Sequence, residues 1–292
     1  MLQIATKAWN IRELMKKAIG HLQSKGFPEA RLTVELLLSH ALQCQRLELY
    51  THFDKPLTKQ ELARFRELYE RRLAFEPVQY IIGSVSFMGL QFQVDRRVLI
   101  PRPETETLVE QTMILCNTME EEKVISLLEV GTGSGNIAVS IAKFVKKSIV
   151  TSIDISQEAL EVARQNGREH GVEEKVFFQN MDVYEPIDQL LRRRFHILVS
   201  NPPYVSTIEW ETLRPEVREY EPREATSDGA DGYEVLRRLI ELAPYVLIDG
   251  GTMLFEVGDD MALTVLSMMH EAGFFNLRVA RDLQGMERVV SG

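Results

Sequence analysis

Asn201-Pro202-Pro203-Tyr204 follows directly on the apolar run Phe195-His196-Ile197-Leu198-Val199-Ser200. A side-chain amide, two prolines and an aromatic ring are thereby set at the C-terminal end of a buried strand. Proline has no N–H for a sheet ladder, so the strand must stop at the tetrad, with backbone carbonyls left free to accept hydrogen bonds. An NH2 group conjugated to a carbonyl or an aromatic ring is a poor nucleophile, because its lone pair is delocalised. Two acceptors, the Asn201 Oδ1 and the Pro202 carbonyl, can hold its two hydrogens and aim the lone pair at an electrophile, with Tyr204 stacked on the planar group. Acceptor dipoles also stabilise the positive charge that develops on the nitrogen. Asn201, Pro202 and Tyr204 are therefore the candidate catalytic residues, and Asn201, Pro202, Pro203 and Tyr204 the candidate substrate-binding set. The competing reading is a strand end, an Asx turn at Asn201 and a packed Tyr204.

A second constellation precedes the first by about seventy residues. Leu127-Leu128-Glu129-Val130 runs into Gly131-Thr132-Gly133-Ser134-Gly135, and a helix then starts through Ile137, Ala138 and Ile141. Glycines at a strand-to-helix turn let the backbone pass close beneath a ligand. The spacing is G-x-G-x-G, which differs from the dinucleotide fingerprint, and a purely structural tight turn is the alternative. Asp154 ends the next strand, where a carboxylate can accept both hydroxyls of a ribose. Equally, it can stand beside the positive end of a helix capped by Ser156. Asp182 ends the third strand in the same way. It is placed to accept from an adenine amino group with Val183 against the ring, or to sit in a solvated turn.

The elements that must carry these residues fall into three stretches. Ile11, Leu14, Met15, Ala18 and Leu22 follow helical spacing, as do Val34, Leu37, Leu38 and Ala41, and then Leu62, Phe65, Tyr69 and Leu73. Residues 1–77 are thus expected to form a small helical domain. From Gln79 the period changes to two, through Tyr80-Ile81-Ile82-Gly83 and then Leu90, Phe92 and Val94, with Met88-Gly89 between the runs. A β-hairpin linker over 78–100 is the expectation. Pro103 suits the first turn of a helix carrying Leu108, Val109 and Met113.

From about Val124 strands and helices alternate. Strands are expected at Ile125–Val130, Ile149–Asp154, Lys175–Asp182, His196–Ser200, Thr252–Val257, Leu277–Arg281 and Glu287–Val290, with a helix over Ser156–His170. This pattern predicts an α/β fold with a doubly wound, mostly parallel sheet over 101–292.

Composition narrows the partners. Forty-three carboxylates against thirty-four Lys and Arg give a net charge of −9, which disfavours a partner held mainly through phosphates. No nucleic-acid contact is expected. Cys44 and Cys116 are isolated, so neither a structural zinc nor a disulfide framework is expected and a cytoplasmic setting is the simple reading. Nothing resembles a leader or a membrane span. Glu209 to Glu234 holds nine carboxylates against three arginines. A solvated face is the ordinary reading of such a run, and steering of a basic protein partner the sharper one.

Taken together, these residues resemble the class I S-adenosylmethionine-dependent methyltransferases, in which NPPY is shared among enzymes that methylate planar NH2 groups. More narrowly, the chain resembles the HemK/PrmC family of peptide-chain release factor glutamine methyltransferases. The likeness is carried by the N-terminal helices, Pro77-Val78-Gln79-Tyr80-Ile81-Ile82-Gly83, Phe87-Met88-Gly89-Leu90, Ile100-Pro101-Arg102-Pro103-Glu104-Thr105-Glu106, the glycine turn, NPPY and the end from Gly285 to Val290.

The resemblance implies methyl transfer from S-adenosylmethionine to the glutamine side-chain nitrogen in the Gly-Gly-Gln motif of release factors, by a monomer whose N-terminal domain recognises the partner. It also implies that Gly131, Thr132, Gly133, Ser134 and Gly135 pass under the cofactor's amino-acid part. Asp154 takes the ribose, Asp182 and Val183 border the adenine, and Asn201 to Tyr204 hold the glutamine. Glu129 stands where the family usually has Asp, keeping the charge with a longer reach to the cofactor's amino group. Arg102 and Glu106 belong to the family's interdomain strip, as shapers of the site or as a fold-holding ion pair. Glu221 to Gly232 follows the family's loop pattern only loosely. Competing substrates are a ribosomal-protein glutamine and an adenine amino group, which would have to be flipped out of a duplex. A module that binds a nucleoside without catalysis is the remaining alternative.

Overall fold

The computed structural model describes residues 9–119, 124–186 and 191–292. Its contacts divide the chain into two units. One holds the residues up to Gly83 together with Pro215–Tyr220, and the other holds Ser84–Arg214 and Glu221–Gly292.

The first unit is helical: α1 Ile11–Ser24, α2 Ala30–Leu42, α3 Arg46–Thr51, α4 Lys59–Leu73 and α5 Val78–Ile82. Asn10 starts α1 by accepting from the Glu13 amide at 2.9 Å, and Thr58 with Glu61 forms a capping box on α4. The stripe Ile11, Leu14, Met15, Ala18 and Leu22 is buried as its spacing requires, against Leu37, Leu38, Phe65 and Tyr69.

Val78–Ile82 corrects the sequence reading. It is a helix, in which the successive residues Tyr80 and Ile81 are both buried, and Gly83 ends it with φ 85°. Ile81 joins the helical core, so the two-residue period starts only beyond Gly83.

A distant segment completes this unit. Arg72 in α4 is buried, with its guanidinium 4.5 Å from the Phe27 ring centre. It donates to the Glu76 carbonyl at 3.1 Å and to Glu216 Oε1 at 2.7 Å.

In the second unit, β1 Ser84–Phe87 and β2 Leu90–Gln93 form the hairpin. Met88 and Gly89 both have positive φ, as a tight two-residue turn demands. A 3-10 turn at Pro103–Thr105 leads into α6 Glu106–Thr118. The main strands are β3 Ile125–Val130, β4 Ser148–Asp154, β5 Val176–Asn180, β6 Phe195–Ser200, β7 Leu247–Glu256, β8 Arg278–Arg281 and β9 Glu287–Ser291. The intervening helices are α7 Asn136–Phe144, α8 Gln157–His170, α9 Thr207–Trp210, α11 Glu234–Val246 and α12 Ala262–Glu271, while α10 Pro215–Tyr220 belongs to the first unit.

Among the described residues seven strands form one sheet in the order β5-β4-β3-β6-β7-β9-β8. Strands β5 to β7 are parallel, and β9 runs antiparallel to both β7 and β8. Side chains of β3 and β6 alternate between two cores: Leu128 and Leu198 face one, Leu127, Ile197 and Val199 the other. Burial on both faces explains their unbroken apolar runs. The strand expected at Thr252–Val257 begins earlier, at Leu247, because Leu247 already pairs with Phe195, and a register shift takes up Asp249-Gly250-Gly251 before Thr252 pairs with Ile197.

Removing one partner of a buried ion pair strands the other charge at a cost of about 3 kcal/mol or more. Glu216→Ala is therefore expected to lower the urea midpoint of the helical unit, read by circular dichroism. A midpoint equal to that of the unsubstituted protein would mean that Arg72 finds another acceptor.

Candidate active site

Strand β3 has β4 on one side and β6 on the other, so the chain leaves its neighbours in opposite directions and a crevice opens at their carboxyl ends. A cavity of about 300 Å3 lies there. Val130, Gly131, Thr132, Gly133, Ser134, Asp154, Asp182, Val183, Asn201 and Pro203 line it, as do Arg97, Val98, Leu99, Pro101, Arg102, Thr105 and parts of 222–228. Two stretches about seventy residues apart in sequence thus meet on one wall. Val130 and Ser200 are register partners, and the Ser200 hydroxyl donates to the Val130 carbonyl at 2.7 Å.

The glycine turn is held from beneath. Gly131 N–H donates to the Ile153 carbonyl at 2.9 Å, and Gly133 N–H to Asp154 Oδ2 at 2.9 Å. Asp154 Oδ1 accepts from the Ser156 amide at 2.8 Å, while the Ser156 hydroxyl caps α8. Asp154 therefore fills the helix-start role and lines the cavity as well. Burial pushes its pKa up, against the downward pull of the two amides. Asp182 accepts from the Tyr184 amide at 2.9 Å, a turn contact, and also lines the cavity.

Four expected site residues stand off the cavity wall. Gly135 has φ 79° at the N-terminus of α7, where a side chain would be strained and its Cβ would lie a tight 3.1 Å from that of Ala163. Glu129 is fully buried. Its Oε2 accepts from the Ser152 hydroxyl, which shares a 2.6 Å hydrogen bond with Thr132 Oγ1, and its Oε1 has no partner in good hydrogen-bonding geometry among the described residues, though the Ala138 amide acts on the carboxyl. Burial raises its pKa to about 8, with Ser152 pulling it down and Asp154 adding to the rise. Burial thus disfavours the ionised form of Glu129.

Pro202 is buried, and the Tyr204 hydroxyl donates to Glu256 Oε1 at 3.2 Å. Burial and the Glu256 carboxylate both raise the pKa of that phenol. The loop after the tetrad closes over it: Val205 N–H donates to the Thr226 carbonyl at 3.1 Å, and a Cβ on Gly232 would come 2.5 Å from the Tyr204 carbonyl oxygen.

Sequence reasoning missed several wall residues. Ile155 is 62% exposed beside the cavity, an apolar side chain directly after a strand-ending acid, which was the available signal. Thr105 lines the wall and accepts from Asn201 Nδ2 at 3.2 Å, a contact across 96 positions that no local pattern marks.

Arg102 and Glu106 have separate roles. Arg102 lines the cavity and donates to buried Glu221 at 2.6 Å, whose other oxygen accepts from the Ile100 amide at 3.3 Å. Glu106 accepts from the Met88 amide at 2.6 Å and so pins the hairpin turn. The acidic stretch is also largely tied down. Glu209 caps α9, Glu216 holds Arg72, Glu221 holds Arg102, Asp228 accepts from two backbone amides, and Asp231 and Glu234 hold Arg237. Among the described residues no group of three or more His, Cys, Asp or Glu is placed to hold a metal ion, and no helix is long and apolar enough to cross a membrane.

A central parallel order with one antiparallel strand, a glycine turn after β3 and an acid ending β4 define a class I methyltransferase fold. The catalytic domain of hMettl16, solved in complex with the MAT2A 3′UTR hairpin 6, shares this fold with a TM-score of 0.53 at 13% identity, over 82% of this chain and 84% of that one.

Residues 13–83 match the family model of the PrmC N-terminal domain, and 106–214 that of the methyltransferase small domain. The release factor glutamine methyltransferase of Geobacter sulfurreducens is 41% identical over 97% of this chain and 96% of its own length. That of Chlorobaculum tepidum is 41% identical over 98% and 97%. The chain belongs to the release factor glutamine methyltransferase family.

The raised Glu129 pKa has a measurable sign. A carboxyl that ionises near 4.5 when unfolded and about 8 when folded stabilises the fold fully below pH 4.5, and the contribution is lost as pH rises through 8. Glu129→Gln keeps the shape and the acceptor for Ser152. It is expected to leave the Tm unchanged at pH 5 and to raise it at pH 9 by about 3 °C or more, read by calorimetry. A shift of equal size at both pH values would mean that Glu129 is already ionised in the folded protein at pH 5.

Proposed function

We propose that this protein transfers a methyl group from S-adenosylmethionine to the side-chain amide nitrogen of the glutamine in the Gly-Gly-Gln motif of peptide-chain release factors, acting as a cytoplasmic monomer. The observation that carries this reading is the meeting of Asn201 with the glycine turn, Asp154 and Asp182 on one cavity wall, in a chain of this family. The cavity suits a nucleoside of that size. Its turn presents backbone in place of side chains, and Asp154 and Asp182 offer carboxylates to ribose hydroxyls and an adenine amino group. Ile155 and Val183 supply apolar faces for the base. Glu129 then acts from behind, through Ser152 and Thr132, as a support for the turn.

When bound, the cofactor supplies a methyl on a positively charged sulfur, already activated toward attack. The protein's task is orientation, which can supply several kcal/mol of the barrier lowering by itself. Asn201 Oδ1 and the Pro202 carbonyl accept the two amide hydrogens of the substrate glutamine. With both hydrogens held, the nitrogen lone pair turns out of conjugation and faces the methyl. Charge appearing on nitrogen as the N–C bond forms and the S–C bond breaks is met by the same two oxygens, until the nitrogen gives up one of its two hydrogens as a proton to solvent. Tyr204, tethered by its hydroxyl to Glu256, offers a fixed ring to the planar amide. Pro202 and Pro203 hold the backbone so that its carbonyls stay out of any ladder.

Asn201→Ala is expected to bind S-adenosylmethionine as the parent does, by calorimetry, and to lower kcat on the order of a hundredfold, as loss of one preorganised polar group does elsewhere. Unimpaired turnover would sink the amide-clamp mechanism. For the substrate, labelled methyl transfer to purified release factor is compared between intact Gly-Gly-Gln and a Gln→Asn version. Label is expected on the intact motif alone. Label on both, or on neither, would overturn the assignment.

A further inference from the structure

Glu256 ends β7, the strand beside β6, and is 1% exposed. Its Oε1 takes the Tyr204 hydroxyl at 3.2 Å, and its Oε2 has no partner with hydrogen-bonding geometry among the described residues. Thr105 is 2% exposed and faces the same carboxyl, on which its hydroxyl exerts a stabilising pull. Thr105 Oγ1 is in turn the acceptor for Asn201 Nδ2 at 3.2 Å. Tyr204 is therefore hydrogen-bonded to this buried acid directly, and Asn201 to the threonine whose hydroxyl acts on it.

The two ends of a side-chain amide are nearly the same shape, so its orientation is decided by which neighbours donate and which accept. The methyl-transfer reading requires Asn201 Oδ1 to face the substrate. A hydroxyl neighbour alone cannot enforce this, because Thr105 can donate or accept. An ionised carboxylate only accepts.

We infer that Glu256 is a positioning residue for methyl transfer: as an acceptor it takes the hydroxyl hydrogens of Tyr204 and Thr105, leaving Thr105 Oγ1 to accept from Asn201 Nδ2 and Asn201 Oδ1 to receive the substrate amide. This rests on the amide-clamp reading of the tetrad. A protonated Glu256 donates, Thr105 is then free to turn its hydrogen toward Asn201, and the amide loses its enforced orientation.

The charged surroundings set where that change occurs. Burial raises the Glu256 pKa to about 7, Thr105 and Tyr204 pull it down, Arg288 of β9 lowers it as well, and Glu104 of the turn before α6 raises it. Arg288 is itself held by Asp259 at 3.0 Å and Asp282 at 3.2 Å, which limits its pull on Glu256. The carboxylate form, and with it the competent amide, is favoured above neutrality.

Two readouts test this on the full chain. The first needs no substrate. The 15N side-chain amide resonances of Asn201, assigned by their loss in Asn201→Asp, are expected to titrate near pH 7 in the parent and to be insensitive to pH in Glu256→Gln. The second is kcat against pH with release factor. Glu256→Gln is expected to lose the acid limb and to lower kcat about tenfold, the equivalent of one hydrogen bond, with cofactor affinity unchanged. Thr105→Val should lower kcat similarly, and Thr105→Ser should restore it. An Asn201 resonance that does not titrate in the parent would overturn the inference, as would a parental acid limb in Glu256→Gln. Failure of the parent to label release factor would count against the substrate reading alone, since the amide titration still decides the role of Glu256.

Discussion

The site depends on the divergence of the chain at the carboxyl ends of β3 and β6. These strands lie side by side in the middle of the sheet, with β4 next to one and β7 next to the other. Right-handed crossovers running outward in opposite directions must put their helices on opposite faces. Accordingly, α7 packs with Leu127 and Ile197, whereas α11 packs with Leu128 and Leu198. Neither helix can cover the gap between the strand ends, and the glycine turn and the proline-stopped tetrad open onto it together.

Around that gap the protein buries carboxyl groups that have no ion-pair partner close at hand. Glu129 and Glu256 are almost entirely shielded from water, and each has one oxygen without a partner in good hydrogen-bonding geometry among the described residues. Burial drives both pKa values up toward or past neutrality, to about 8 and about 7. Such groups stabilise the fold most when protonated, so retaining them opposes stability at neutral and alkaline pH. Their partners suggest why they are kept. Glu129 reaches the glycine turn through Ser152, and Glu256 accepts from the Tyr204 hydroxyl. Both carboxyls thus lie behind the wall, one beside a residue of the glycine turn's support and one beside the tetrad.

Most of the sheet was legible because its strands are buried on both faces and read as unbroken apolar runs ended by glycine, acid or proline. The errors have local causes. Val78–Ile82 looked extended because its apolar residues are followed by a true two-residue period, yet Pro77 and Gly83 bound a single helical turn. The start of β7 was hidden by Asp249-Gly250-Gly251, residues that ordinarily signal a turn. Gly135, part of the glycine turn by spacing, stands off the cavity wall beside Ala163. Most carboxylates of the acidic run are exposed, as a solvated face requires, but Glu216 and Glu221 are not, since charge spacing carries no information on arginines a hundred or more residues away, such as Arg72 and Arg102.

The sequence by itself determined the alternation of strands and helices, the place where β6 must stop, and the types of group offered there: an amide oxygen, free carbonyls and a ring. These follow from backbone chemistry and residue spacing, which are local. Tertiary structure alone decided which groups meet. It set Asn201 against Thr105, Tyr204 against Glu256, Arg102 against Glu221, and Glu129 behind the glycine turn. Hydrogen bonds act over about 3 Å whatever the separation in sequence, and burial shifts a pKa through the whole surrounding volume. Neither quantity exists until the chain has closed.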